Sequence, residues 1–123
     1  MENIDNPHFL IELFADDAVI ELPYLKSLGL PWRWEGRETL YNFLSSLSET
    51  FPGFRFKNIE IYIDTPEQAF GEYEPTAVIA TNGKSYAQYN MGRMVAENGK
   101  IKLIREALNM VPVLRDIKGI PVA

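Results

Sequence analysis

The spacing of apolar residues changes partway along the chain, and the change separates a mainly helical first part from a strand-forming second part. Phe9, Leu10, Leu13 and Phe14 recur at helical intervals. They follow a start signal, Asp5 or Asn6 before Pro7, in which a short polar side chain caps free amides and proline takes the first helical position. Residues 18–22 read as a strand stopped by Pro23, and residues 24–31 as a loop broken by Gly29 and Pro31. From Glu35 onward, Leu40, Phe43, Leu44 and Leu47 make one apolar stripe, predicting a second helix that ends before Pro52 and Gly53 and packs on a sheet. Beyond it the period is two. Ile59, Ile61 and Ile63 alternate with Asn58, Glu60 and Tyr62, the pattern of a half-buried strand. Asn82-Gly83 separates strand-like runs over residues 76–81 and 85–95, and Asn-Gly is the favoured two-residue hairpin turn because both positions accept positive φ. Asn98-Gly99 repeats the device before residues 101–108. With no repeat or linker, these elements predict a single α+β domain over residues 1–123, a curved, mostly antiparallel sheet with helices on one face.

Composition narrows the partners. At 46% hydrophobic and 24% charged, the chain is globular rather than disordered. Twelve Lys and Arg against seventeen Asp and Glu leave a net charge of -5, so neither nucleic acid nor an anionic membrane is an expected partner. No cysteine is present, which excludes disulfides, thiolate catalysis and Cys-containing zinc sites. No apolar run approaches the roughly 20 residues needed to span a bilayer, and the first seven residues have neither a basic start nor an apolar core. A cytoplasmic enzyme or binding protein is therefore expected.

Several phrases, in order, resemble the SnoaL-like branch of the nuclear-transport-factor-2-like superfamily. They are Leu13-Phe-Ala-Asp-Asp-Ala-Val19, Trp34-Glu-Gly-Arg-Glu38, and Glu97-Asn-Gly-Lys-Ile101 leading to Arg105-Glu106. Within that branch Phe51-Pro52, Lys57-Asn-Ile59, Gly99-Lys-Ile-Lys102, Asn109 and Gly119-Ile-Pro121 are most similar to the phenazine-biosynthesis A/B proteins. The resemblance implies a cone, a strongly bent sheet wrapped around helices, with a mostly apolar small-molecule pocket at its wide end. It also implies homodimerisation through the outer sheet face and no metal or organic cofactor. Relatives commonly carry a long first helix before the Leu-Phe-Ala-Asp-Asp phrase, and here about a dozen residues precede it. A more open pocket, or one covered by the tail or a partner subunit, is the corresponding expectation.

Glu106 is the foremost candidate for chemistry. On an alternating strand it shares a face with Ile104 and Leu108, so its carboxylate sits among apolar side chains, where desolvation raises the pKa toward a useful acid/base range. The resemblance points to the same residue, because Arg105-Glu106 falls where phenazine A/B proteins place a glutamate acid/base and SnoaL-like cyclases an aspartate. The competing reading is an ion pair with Arg105, Arg93 or a lysine. Other family chemistry does not carry across: the general base of ketosteroid isomerases falls at Leu22, their protonated oxyanion-hole aspartate at Met91, and the second-helix histidine of the phenazine proteins at Phe43. His8, the sole histidine, reads as a solvated or end-packed residue, and Asp16-Asp17 as a source of turn hydrogen bonds. No metal-ligand pattern or nucleophile triad is present.

Tyr24, Trp32, Trp34, Tyr86 and Tyr89 suit an aromatic or alicyclic ligand, and Phe43 stands at a family site position. If Met91 faces inward, as the isomerase comparison implies, Tyr89 and Arg93 share its face and Arg93 can fork onto a ligand carboxylate. The expected binding set is thus Tyr24, Trp32, Phe43, Tyr89, Met91 and Arg93, with Glu106 as catalyst. Three functions are compatible with it. The first is a cofactor-independent cyclase, isomerase or dehydratase acting on a small cyclic carbonyl or carboxylate compound. The others are a noncatalytic binder of a small hydrophobic metabolite, and a dimerisation module whose cone is filled by side chains.

Overall fold

A computed structural model describes residues 6–122. Asn6 opens helix α1 (Pro7–Ile11) by accepting the Phe9 amide at 3.2 Å, with Pro7 in the first turn; Asp5, the other candidate cap, lies outside the described residues. The helix is shorter than expected. Leu13 lies in a turn and Phe14 opens strand β1 (Phe14–Glu21), because the Leu13 carbonyl accepts the Ile101 amide at 2.9 Å and Phe14 pairs with Ile101. Sheet pairing overrides the local helical spacing. The expected loop likewise contains a 3-10 helix (Pro23–Leu28), closed by Gly29 at φ +70°.

Strand β2 (Arg33–Glu35) leads into α2 (Arg37–Thr50), which ends before Pro52 as its apolar stripe predicts. Five more strands follow: β3 (Arg55–Asp64), β4 (Gln68–Val78), β5 (Ser85–Ala87), β6 (Asn90–Glu97) and β7 (Lys100–Ala107). They form one seven-stranded sheet in the order β2-β1-β7-β6-β4-β3, with β5 also paired to β4. All pairings are antiparallel except β1 with β7. Register shifts interrupt the β1-β7, β3-β4 and β6-β7 pairings, and such bulges bend a strand and increase its twist. The sheet is strongly curved and wraps the helices as a cone.

Helix α2 is tied at both ends. The Gly36 amide donates to Ala18 at 3.0 Å before the helix, and Thr50 accepts from Ala80 at 2.9 Å after β4. Its Leu40 and Leu44 complete a core with Ile11, Phe14, Ala18 and Ile20. This packing defines the inner face of the sheet. Strand β3 lies at the far edge from β1 and β2, where α2 packs, and Ile59, Ile61 and Ile63 are 54–58% exposed. The alternating pattern is correct for a strand, but the expected half-burial fails because no helix among the described residues covers that edge.

The two Asn-Gly turns differ. Asn98 and Gly99 have φ of 53° and 75°, as a two-residue hairpin requires. At Asn82-Gly83 only the glycine is left-handed, and the Asn82 side chain instead accepts the Lys84 amide at 2.9 Å. The run after this turn is split into β5 and β6. Buried Gln88 lies at the break, bonded through its amide to both the N–H and the carbonyl of Asn109. The tail (Met110–Pro112, then a π turn over Val113–Ile117) packs beyond this junction.

Candidate functional site

The site grows from one rung of the sheet. Gly92 of β6 stands directly opposite Glu106 of β7, and the neighbouring rung pairs Met94 with Ile104. Opposed residues share a face, so Glu106 points inward with Ile104, as the two-residue period predicts. On the other side of β6, Tyr73 of β4 pairs with Asn90. Tyr73 crosses above Gly92 to donate its hydroxyl to Glu106 Oε2, and a Cβ on Gly92 would collide with that hydroxyl. A glycine is therefore required for the contact. Phe56 braces the Tyr73 ring edge-on at 5.4 Å.

Asn90, 3% exposed, donates its side-chain N–H to the same Oε2 at 3.3 Å. Two neutral donors thus grip one carboxylate oxygen. No Lys or Arg among the described residues forms an ion pair with Glu106, and Arg105 reaches the opposite face, where it bonds Glu21 at 2.6 Å. The expected alternative of a structural ion pair at Glu106 is overturned by this alternation. Burial pushes the Glu106 carboxyl above the usual carboxylate range, with Tyr73 and Asn90 pulling it back only in part. Burial and the adjacent carboxylate also push the Tyr73 phenol far up, so it remains a donor. Chemically the arrangement is a carboxyl group that can exchange a proton, fixed in orientation by neutral donors.

The expected binding residues do not converge on it. Met91 lies one position from Gly92 and faces outward, 48% exposed, and Tyr89 and Arg93 are exposed with it. The inward orientation expected for these three is corrected, because the register places even-numbered β6 residues inside. Arg93 stands opposite Arg105 in the sheet register, on the face away from Glu106. Tyr24 is exposed on the 3-10 helix, and Trp32 is half-buried beneath the Lys26 ammonium, 5.6 Å from its ring. Phe43 packs on Trp34 at 4.3 Å and lines an open groove of about 450 Å³ along α2. Pro31, Trp34, Leu47 and Phe51 supply the remaining apolar wall, with Thr39, Asn42, Ser46 and Thr50 between them. Glu106 does not line this groove. Tyr86 is buried and stacked on Phe51. Asp16 and Asp17 lie within β1 and face Arg37 and Lys102, which corrects their expected turn role. His8 sits 2.9 Å from the Tyr41 hydroxyl at the surface.

Tyr73, Asn90 and Gly92 escaped sequence reasoning. One signal was available: a lone glycine inside a strand marks a close approach by another group.

The fold is shared with solved proteins described as NTF2-like and as having a ketosteroid isomerase-like fold. Residues 2–104 match the SnoaL-like domain, and the chain belongs to that family. It is 29% identical over 113 residues to an uncharacterised PhzA/B-like protein of Pseudomonas aeruginosa, covering 91% of this chain and 79% of that protein. A phenazine biosynthesis-related protein of the same organism superposes with a TM-score of 0.81 at 25% identity, over 96% of this chain and 78% of the other. A Bacillus subtilis protein provisionally named an isomerase superposes with a TM-score of 0.84 at 21% identity, over 97% and 87% of the two chains.

Proposed function

We propose that this SnoaL-like protein is a cofactor-independent enzyme of the cyclase, isomerase or dehydratase kind, in which Glu106 moves a proton on a small cyclic carbonyl compound. The observation that carries the reading is the half-buried Glu106 carboxyl, held by Tyr73 and Asn90 and neutralised by no cation among the described residues. A structural carboxylate is normally paired when buried, and an unpaired one with a raised pKa suits proton exchange near neutral pH. Tyr73 and Asn90 occupy Oε2, which leaves Oε1 to take or give the proton. The provisional isomerase name of the Bacillus subtilis relative agrees with this class of reaction.

The test uses cyclohexanone in D2O as a probe of proton abstraction next to a carbonyl, followed by mass spectrometry. Wild-type protein is expected to accelerate exchange, and Glu106→Gln to reduce that acceleration by about 100-fold or more, the usual contribution of a positioned acid/base. Equal exchange by the two proteins would refute the assignment.

A second reading, a noncatalytic binder of a small hydrophobic metabolite, is favoured by the α2 groove, whose lining contains no titratable side chain. Saturable binding of 1-naphthol that perturbs Phe43 and Trp34, with no exchange activity, would support it.

A further inference from the structure

The tripeptide Asn-Gly-Lys occurs twice, at residues 82–84 and 98–100, and each Asn-Gly pair lies in an exposed turn. An asparagine followed by glycine is the pair best suited to one spontaneous reaction, in which the glycine backbone nitrogen attacks the asparagine Cγ. No Cβ on the glycine obstructs that approach. Because the tripeptide is the same in both places, the fold must set any difference between them.

At the first turn every group that the reaction uses is engaged. The Asn82 side chain donates its N–H to the Asp116 carbonyl and accepts the Lys84 amide, both at 2.9 Å, which holds Cγ in place. The nucleophile is held as well, since the Gly83 amide donates to the Ile79 carbonyl at 2.8 Å. At the second turn neither the Asn98 side chain nor the Gly99 amide has a hydrogen-bond partner among the described residues. Both residues are exposed at the tip of the β6-β7 hairpin, closed by the pairing of Glu97 with Lys100. Such a tip opens locally at little cost.

We infer that Asn98 is a modification site, converted by spontaneous deamidation to aspartyl and isoaspartyl forms, while the fold protects Asn82. The inference is independent of the reading of Glu106.

The reaction needs only water. Once solvent base has taken the Gly99 amide proton, the nitrogen bonds to Asn98 Cγ and the Cγ–Nδ2 bond breaks. The departing nitrogen takes up a proton and leaves as ammonia, so the proton count balances. Water then opens the cyclic imide. Breaking the bond from the Gly99 nitrogen to Cγ gives aspartate, whereas breaking its bond to the Asn98 backbone carbonyl carbon gives isoaspartate, with the chain running through the former side chain. Either product sets a carboxylate beside Glu97. The isoaspartyl form also lengthens the turn whose span fixes the register of β6 against β7.

The test incubates the full chain at pH 8 and digests it after lysine and arginine, which puts Asn82 and Asn98 in separate peptides. Mass spectrometry reads the conversion of amide to acid in each, and chromatography separates aspartyl from isoaspartyl products. Conversion at Asn98 is expected to be about tenfold or more faster than at Asn82, where the hydrogen bonds to the side chain and to the attacking amide must break first. In concentrated guanidinium chloride the fold is lost, and the two rates are expected to agree within about threefold. Equal rates in the folded protein, or a faster rate at Asn82, would overturn the inference. A difference as large in denaturant as in the folded protein would also overturn it, by tracing the effect to the preceding residues Thr81 and Glu97 rather than to the hydrogen bonds.

Discussion

Glu106 and Glu21 are both glutamates of one sheet, on adjacent strands and opposite faces, and their proton affinities move in opposite directions. Glu106 has neutral partners only, and burial raises its pKa. Glu21 is also pushed up by burial, but hydrogen bonds and attraction from Arg105 and Arg33, at 2.6 and 3.0 Å, bring it below the usual range. Burial acts on both. The sign is decided by whether the partner carries charge, and that is decided by alternation, since Arg105 and Glu106 are chain neighbours pointing to opposite faces. One sheet thus builds an ion cluster outside and a carboxyl with neutral partners inside, one residue apart.

The inner face can be broken at either of two facing glycines, with different costs. A Cβ on Gly71 would strike the Glu60 carbonyl of β3, and backbone in a paired strand cannot move aside. Gly71→Ala is expected to cost about 3 kcal/mol, at the upper end for overpacking. At Gly92 the obstacle is the end of the Tyr73 side chain, which can swing away, so Gly92→Ala is expected to cost only about 1 kcal/mol while detaching Tyr73 from Glu106. Urea unfolding measures both losses, and carboxyl-carbon NMR should show the Glu106 pKa rising in Gly92→Ala as a donor is withdrawn. Equal unfolding free energies for the two variants would contradict the geometry.

This difference between the glycines is set by strand pairing, which local sequence pattern does not encode. Leu108 lies beyond the end of β7, but the inward face of Glu106, shared with Ile104, was legible, because a period of two fixes the face of every residue in a strand. So were α2, whose apolar stripe matches the buried Leu40 and Leu44, and the Asn98-Gly99 turn. The face of Met91 was not legible: it was taken from an aligned position, and a shift of one residue in register moves Tyr89, Met91 and Arg93 to the other side. Tyr73 and Asn90 come from strands separated from Glu106 by 33 and 16 residues, so their meeting depends on the β4-β6-β7 pairing rather than on local pattern. The exposure of β3 was hidden for a similar reason, since alternation reports a strand and cannot report which strand a helix covers.

The opposed carboxyls predict opposed pH responses. For Glu106 the folded pKa is raised, so its contribution to stability is complete below the unfolded value of about 4.5 and is lost as pH rises through the folded value. For Glu21 the folded pKa is lowered, so its contribution is present above about 4.5 and is lost as pH falls through the folded value. Glu106→Gln should consequently match or exceed wild type in melting temperature at pH 8, with the advantage shrinking toward pH 4. Glu21→Gln should melt below wild type at pH 8 and converge with it in acid, by about 1 kcal/mol or less because its arginine partners are largely solvated. Melting curves from pH 3.5 to 8 check both. A large drop for Glu106→Gln at pH 8 would mean that its bonds to Tyr73 and Asn90 outweigh the cost of burying its charge, and would recast it as a structural residue.

The smallest effect on folding is expected on the outer face, at Met91. Met91 is paired with Glu72 and lies near exposed Phe70 and Tyr89, while Glu60 and Glu74 flank the patch on β3 and β4. Burial in the monomer is slight, so Met91→Asp should change the unfolding free energy of dilute protein by about 0.5 kcal/mol or less, as surface substitutions usually do. Association is another matter. We propose that this face joins two copies of the chain, with the acidic stripe of Glu60, Glu72 and Glu74 on one set against Arg93 and Arg105 on the other, an isologous contact in which the same patch serves both subunits. An added aspartate would enlarge the negative stripe and be buried with it, so Met91→Asp should shift wild-type dimer toward monomer in sedimentation velocity at micromolar concentration. Arg93→Glu should do the same by removing the opposite charge, and the two variants mixed should not recover the dimer. A wild-type monomer at that concentration would refute the contact, and a Met91→Asp protein that unfolds several kcal/mol more easily when dilute would show that the outer face is packed within the monomer after all.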